Sequence, residues 1–194
     1  MALIHLLTAQ PKAGKTEAAL GLAGPRAIFF VPSPRNANPK FSAIPWAWCK
    51  DLGREKVAAF QKAHKRARLV LMPHESQLLT LFMGPEWEGY TFVFDDFPQL
   101  FPTGKAVNDF VMFACGVRHR DGEVIVCTQR IAGVLPPLVR ALADQITQVG
   151  PLVSQEEAKT LYTMGASAQF PRLQDFYLVI SKNPPYKQFP IKSA

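Results

Sequence analysis

The chain has 194 residues and a net charge of +7, from 22 Lys and Arg against 15 Asp and Glu. Its 48% hydrophobic and 19% charged content describes one ordinary globular domain over residues 1–194, with a substantial core. Three cysteines (Cys49, Cys115, Cys127) without C-x-x-C spacing exclude a disulfide framework and a zinc site, and no apolar run is long enough to span a bilayer.

The first element is an apolar strand, Leu3–Thr8. It lacks the basic leader of a signal peptide, so an intracellular protein is expected. Thr8-Ala9-Gln10-Pro11-Lys12-Ala13-Gly14-Lys15-Thr16 follows, and then a helix over Lys15–Leu22. Strand, tight loop ending Gly-Lys-Thr and helix form the context of a P-loop (Walker A). The loop Gln10, Pro11, Lys12, Ala13 and Gly14 would curl around a phosphate and donate its backbone N–H groups, Pro11, which has none, contributing only its shape. Lys15 would reach the outer phosphates and the Thr16 hydroxyl would bind Mg²⁺. The helix N-terminus adds its positive dipole end. Ala9 stands where the pattern has glycine, so the loop must be entered with ordinary backbone angles.

Further strands are expected at Arg26–Val31, Arg68–Met72, Thr91–Phe94, Glu123–Thr128, Gln145–Val149 and Phe176–Ser181, mostly as short apolar runs buried on both faces. Helices are expected at Asp51–His64, Glu75–Met83, Ala106–Phe113, Leu138–Ala143 and Ser154–Met164, the last opened by a Ser154/Glu157 capping box. This alternation predicts a three-layer α/β fold around a mostly parallel sheet. Pro32–Trp48, with Pro32, Pro34, Pro39 and Pro45, reads as a long ordered loop, and residues 182–194 as a tail with a turn and an edge strand ending at Ile191. Trp46 and Trp48 suit either base stacking, a subunit contact, or pinning of the loop to the body.

Tyr90–Asp96 is an aromatic and β-branched strand tipped by two acids. In P-loop NTPases such a strand is expected beside the P-loop strand, with Asp95 holding Mg²⁺ and Asp96 polarising the attacking water. Adjacent carboxylates repel, and a cation resolves the conflict. A third strand, Glu123–Thr128, leads to Gln129, whose amide can donate to phosphate and accept from water. The basic run His64-Lys65-Arg66-Ala67-Arg68 suits either a solvated helix end or nucleic acid.

These motifs in this order, together with Val117-Arg118-His119-Arg120, Val124–Arg130 and Val139–Gln145, resemble the FtsK/HerA superfamily of P-loop ATPases. The resemblance runs closest to the genome-packaging ATPases of tailless, membrane-containing icosahedral viruses. Arg118-His119-Arg120 before Thr128-Gln129 is also similar to the Zot-like assembly ATPases of filamentous phages. Asp96 stands where the family usually has Glu.

The resemblance implies a RecA/FtsK-HerA-like fold and an ATPase using ATP and Mg²⁺. It implies a homo-oligomeric ring, a hexamer or pentamer, that moves double-stranded DNA, with viral membrane or vertex proteins as further partners. The expected location is the cytoplasm of an infected cell or a virion vertex. Lys15, Asp96, Gln129 and a trans-acting Arg118 would be catalytic, with Arg130 and Arg140 as other candidates for the arginine. Lys62, Lys65, Arg66 and Arg68 would face DNA. The alternatives are a Zot-like assembly or secretion ATPase, a non-hydrolysing nucleotide-binding module and a small-molecule kinase.

Overall fold

Short apolar strands alternate with helices because each run is too brief and too uniformly hydrophobic to leave a face in water. The computed structural model describes residues 3–35, 38–149, 155–164, 176–181 and 188–190. The parallel strands are β1 (Leu3–Ala9), β2 (Ala27–Val31), β3 (Trp46–Trp48), β4 (Arg66–Val70), β5 (Thr91–Phe94), β6 (Glu123–Thr128) and β7 (Gln145–Val149). Two antiparallel strands, β8 (Phe176–Ser181) and β9 (Gln188–Pro190), complete a nine-stranded sheet in the order β3-β4-β2-β5-β6-β1-β7-β8-β9. The expected three-layer α/β fold with a mostly parallel sheet is what forms.

Period-two alternation splits the core between the two faces. Ile4, Leu6, Ile28, Phe30, Phe92, Phe94, Val124 and Val126 share one cluster. It is covered by α3 (Arg54–Ala63), α5 (Gly104–Arg118), α6 (Pro137–Leu142) and α7 (Gln155–Thr163). Leu7, Phe29, Val31, Val93, Ile125 and Cys127 belong to the other, under α1 (Lys15–Leu22) and α2 (Pro39–Ser42). A last short helix, α4 (Phe97–Leu100), follows β5 directly.

Several expectations are corrected. The acid-tipped strand β5 does not pair with the P-loop strand β1; β6 lies between them, in register with both. Pro73–Phe82 is a 3-10 rather than an α-helix, and α5 runs five residues past Phe113 to Arg118. The Pro-rich segment holds α2 and the edge strand β3, not loop alone. Glu157 is buried, and its two carboxylate oxygens accept the N–H groups of Ile131 at 2.7 Å and Ala132 at 2.8 Å. Its expected partner Ser154 lies outside the described residues, as does most of the tail.

The largest correction concerns the basic run. Arg68 is buried and donates to the carbonyls of Ile44 (3.0 Å), Pro34 (3.0 Å) and Ser42 (3.1 Å), with its guanidinium 5.2 Å from the Phe41 ring centroid. Arg66 donates to the Leu20 carbonyl at 3.1 Å and lies over Phe29. Arg68 is buried and Arg66 half-buried, because β-strand alternation turns positions 66 and 68 together onto the face that α1 and α2 cover. Lys62 and Lys65 are exposed.

Among buried titratable groups, His5 in β1 meets the Thr147 hydroxyl at 2.6 Å, and burial pushes its pKa from 6.5 down to about 4. Between those values the unfolded chain takes up a proton that the folded chain refuses. Stability is therefore complete above pH 6.5 and falls by roughly 3 kcal/mol as pH drops towards 4. Urea denaturation across this range should show that loss, and His5→Gln should flatten it. Arg68→Ala removes three charge-assisted hydrogen bonds from a desolvated site and should cost about 3 kcal/mol in the same assay. Lys65→Ala should change stability by less than about 0.5 kcal/mol.

Candidate active site

The loop after β1 is shaped by one turn and one glycine. Ala13 N–H donates to the Gln10 carbonyl at 3.1 Å, closing a turn with Pro11 second and Lys12 third. Lys12 has φ +66°, the left-handed region that such a third position demands. Gly14 follows at φ +87° as the residue before α1, and Ala18 N–H donates to its carbonyl at 2.9 Å. No side chain caps α1, so its first N–H groups and dipole are directed at whatever sits in the loop. Ala9 explains its departure from glycine: it is the last residue of β1, fully buried, paired with Val149 and without positive φ.

Register brings the acids to this loop. Phe94 pairs with Val126 and Leu7 with Cys127, so Asp95 emerges level with Leu7, two residues before β1 ends, with β6 between them. A cleft of about 380 Å³ results. It is lined by Gln10, Pro11, Lys12, Gly14, Lys15 and Thr16 on the loop side, and by Asp95, Asp96 and Gln129 opposite. Ala13 is not part of the lining; it closes the turn.

The electrostatics centre on Asp95. Its Oδ1 lies 3.9 Å from Lys15 Nζ, both side chains are largely buried, and that oxygen has no hydrogen-bond partner. Burial raises the Asp95 pKa, and the Asp96 carboxylate raises it too; Lys15 and the Asp96 N–H act in the opposite sense. The nearby Cys127 thiol is pushed far up by burial and by Asp95, so it is inert. A desolvated carboxylate oxygen without a donor, sharing a cleft with the Thr16 hydroxyl, is a hard-oxygen set of the type Mg²⁺ takes alongside phosphate oxygens and water. Among the described residues no group of three or more His, Cys, Asp or Glu side chains could hold a metal by itself.

Asp96 precedes α4 with φ +63° and ψ +61°, and its Oδ2 accepts from the Gln99 amide at 2.6 Å. Gln129 is exposed at the end of β6. The chain turns there because Thr128 Oγ1 donates to the Arg130 carbonyl at 2.8 Å. Arg118 is not brought to this cleft. It ends α5 at the start of β1, about 20 Å of strand from the loop. There it pairs with Asp144, which also accepts from Ile4 N–H at 3.0 Å. Arg130 lies next to Gln129, with its Nη2 3.9 Å from Glu156.

Sequence reasoning missed three residues: Glu17 and Asn38, which line the cleft, and Gln99, which donates to Asp96. Asn38 caps α2 by accepting from Lys40 N–H at 3.0 Å and Phe41 N–H at 3.4 Å. It also donates to Glu17 at 3.2 Å, and Lys40 Nζ reaches the same carboxylate at 2.6 Å. Asn before Pro39 was a readable cap signal; its contact with Glu17, 21 residues away, was not.

No protein-family profile and no curated protein matches the chain. Solved structures do. The DNA-packaging ATPase B204 of Sulfolobus turreted icosahedral virus is similar at 14% identity and a TM-score of 0.66, over 100% of both chains. The genome-packaging NTPase B204 of Sulfolobus turreted icosahedral virus 2, solved with ATP-γ-S, matches at 15% identity and TM-score 0.64 over 98% of each chain. VirB4 of Thermoanaerobacter pseudethanolicus matches at 11% identity and TM-score 0.62, over 99% of this chain and 89% of that one. What this chain shares with these proteins is the fold, the mostly parallel α/β sheet of P-loop NTPases.

Proposed function

We propose that the chain is an ATP-hydrolysing motor that drives double-stranded DNA into a viral capsid, working as a homo-oligomeric ring. One observation carries the ATPase reading: loop, lysine, paired acids and Gln129 line a single cleft in which a buried Asp95 oxygen has no partner. The packaging reading rests on the sequence resemblance and on the shared fold of the two viral B204 structures.

In this reading the N–H groups of the loop and of α1 bind the β- and γ-phosphates, and Lys15 neutralises them. Thr16 and Asp95 would hold Mg²⁺, which when bound supplies charge neutralisation across the phosphates. Asp96 orients and polarises the attacking water, with Gln99 fixing its carboxylate. Being one methylene shorter than the usual Glu, it reaches less far. Gln129 contacts the γ-phosphate and reports its loss along β6. An arginine from a neighbouring copy stabilises the developing charge. Arg118, Arg130 and Arg140 are its candidates, and Arg118 would first have to leave Asp144. DNA is held through its phosphates, so binding is sequence-independent and salt-dependent. Lys62 and Lys65 remain candidates for that surface; Arg66 and Arg68 do not. Viral membrane or vertex proteins would dock the ring, and among the described residues no helix is long and apolar enough to cross a membrane.

Steady-state ATP hydrolysis with and without double-stranded DNA tests this. Wild type should turn over faster with DNA. Lys15→Ala should lower the rate by about 10² or more, and Asp96→Asn by roughly 10²–10⁴. Lys62→Glu with Lys65→Glu should remove stimulation without touching basal turnover. Turnover indifferent to DNA would move the assignment to an assembly ATPase. ATP binding without turnover, with DNA present, would leave a nucleotide-binding module.

A further inference from the structure

Gln129 follows β6 directly and lines the cleft, yet it is exposed, so its place depends on the backbone that carries it. Two anchors bracket that backbone. The first is β6 itself, continued by the Thr128 hydroxyl donating to the Arg130 carbonyl at 2.8 Å. The second comes from another element. The Glu157 carboxylate, in the first turn of α7, accepts the consecutive N–H groups of Ile131 and Ala132 at 2.7 and 2.8 Å. Gln129 and Arg130 are the two residues between these anchors.

The second anchor is built to hold. Glu157 is 1% exposed, and Ile131 and Ala132 are themselves buried. Two neighbouring N–H donors are costly to bury without an acceptor, and one carboxylate answers both with charge-assisted bonds. Within the turn, Leu135 N–H donates to the Ile131 carbonyl at 3.2 Å. The helix is seated through Leu161, fully buried in the same apolar cluster as Ile131, Leu135 and Val139. A first-turn glutamate has its own helix start within reach. Both oxygens of Glu157 nevertheless reach a turn 26 and 25 residues earlier in the chain. Glu156 adds a looser contact, 3.9 Å from Nη2 of Arg130. Glu157 does not line the cleft, so it acts there through this turn.

We propose that Glu157 is a positioning residue for the cleft. By holding Ile131 and Ala132 it sets the backbone at Gln129, and with it the distance from the Gln129 amide to the γ-phosphate and the attacking water. Misplacement by about 1 Å can cost up to about a hundredfold in rate. Ground-state binding of the nucleotide rests on the loop after β1 and is spared. This inference rests on the reading of Gln129 as a γ-phosphate contact.

The test is steady-state ATP hydrolysis by the full chain with DNA, for wild type, Glu157→Gln, Gln129→Ala and the double variant. Glu157→Gln keeps the shape but turns an amide N–H₂ towards a donor. It should lower kcat about tenfold and change KM less than about twofold. The double variant should be no slower than Gln129→Ala, because Glu157 acts through that residue. A loss of folded protein would scale both backgrounds alike, so multiplying losses would overturn the assignment, as would full kcat in Glu157→Gln beside a slow Gln129→Ala. Wild-type rate in Gln129→Ala, or no turnover in wild type, would instead sink the reading of the cleft, and this inference with it. If Glu157→Gln does not fold, amide hydrogen exchange on wild type decides. Slower exchange at Ile131 and Ala132 with Mg²⁺-ATP-γ-S than with Mg²⁺-ADP supports the assignment, and equal exchange overturns it.

Discussion

The contact between Lys15 and Asp95 is the constraint around which the cleft is organised. Two charges have been taken largely out of water and held 3.9 Å apart, too far for a direct hydrogen bond. Such a pair is poor stabilisation, since desolvation offsets much of the attraction. Its energetics change once an anion binds to Lys15 and a cation to Asp95, because both then acquire the partner each lacks. The geometry depends on β6. By lying between β1 and β5 it sets the two strands that lead to lysine and aspartate two strand spacings apart, and the side chains reach across that gap to 3.9 Å.

The position of the two acids is set from beneath by aromatic packing. Phe94 ends β5 and Phe97 begins α4, and both press on Phe110 of α5, at 5.1 and 4.8 Å between centroids. Both also meet Phe101, at 5.5 and 4.8 Å. With the residues on either side fixed in one cluster, the chain must reverse within Asp95-Asp96. The left-handed conformation of Asp96 is that reversal, at a cost of about 1 kcal/mol that aspartate tolerates better than most residues. Lys12 carries a second such conformation across the cleft. Strain of this kind persists only where surrounding packing over-determines it. Here the determinants are the aromatic cluster on one side and the Pro11 turn on the other.

How much of this was legible in sequence follows from how local each signal is. The strand-loop-helix unit around residues 3–22 was readable because strand, Gly-Lys-Thr and helix are contiguous, and the place of the acids because a strand of Thr91-Phe92-Val93-Phe94 ends on them. The alternation of elements gave the three layers for the same reason. Strand order was not legible: nothing in Tyr90–Asp96 says that β6 will intervene, since pairing is decided by which crossovers close. Pro73–Phe82 has apolar spacing compatible with either helical period, and only the structure separates them. Arg66 and Arg68 looked like surface charge because they sit in a basic run. A strand directs alternate residues to one face regardless of their neighbours' charge, and that face happened to be covered. Arg118 is expected as a trans-acting arginine by its place before β6; the length of α5 puts it at the end of the sheet away from its own cleft, which leaves a role towards a neighbouring copy untouched.

Arg68 also accounts for a link that no motif announces. Its donors hold the carbonyls of Pro34, Ser42 and Ile44, and its face holds Phe41, so one buried cation fixes the path of the segment that crosses over α1. That path sets Asn38 and Lys40 against Glu17, one residue beyond Thr16. It then continues into β3, at the sheet edge, where Trp46 is exposed. The wall of the cleft and the outermost strand are thus one short, rigidly pinned stretch of chain.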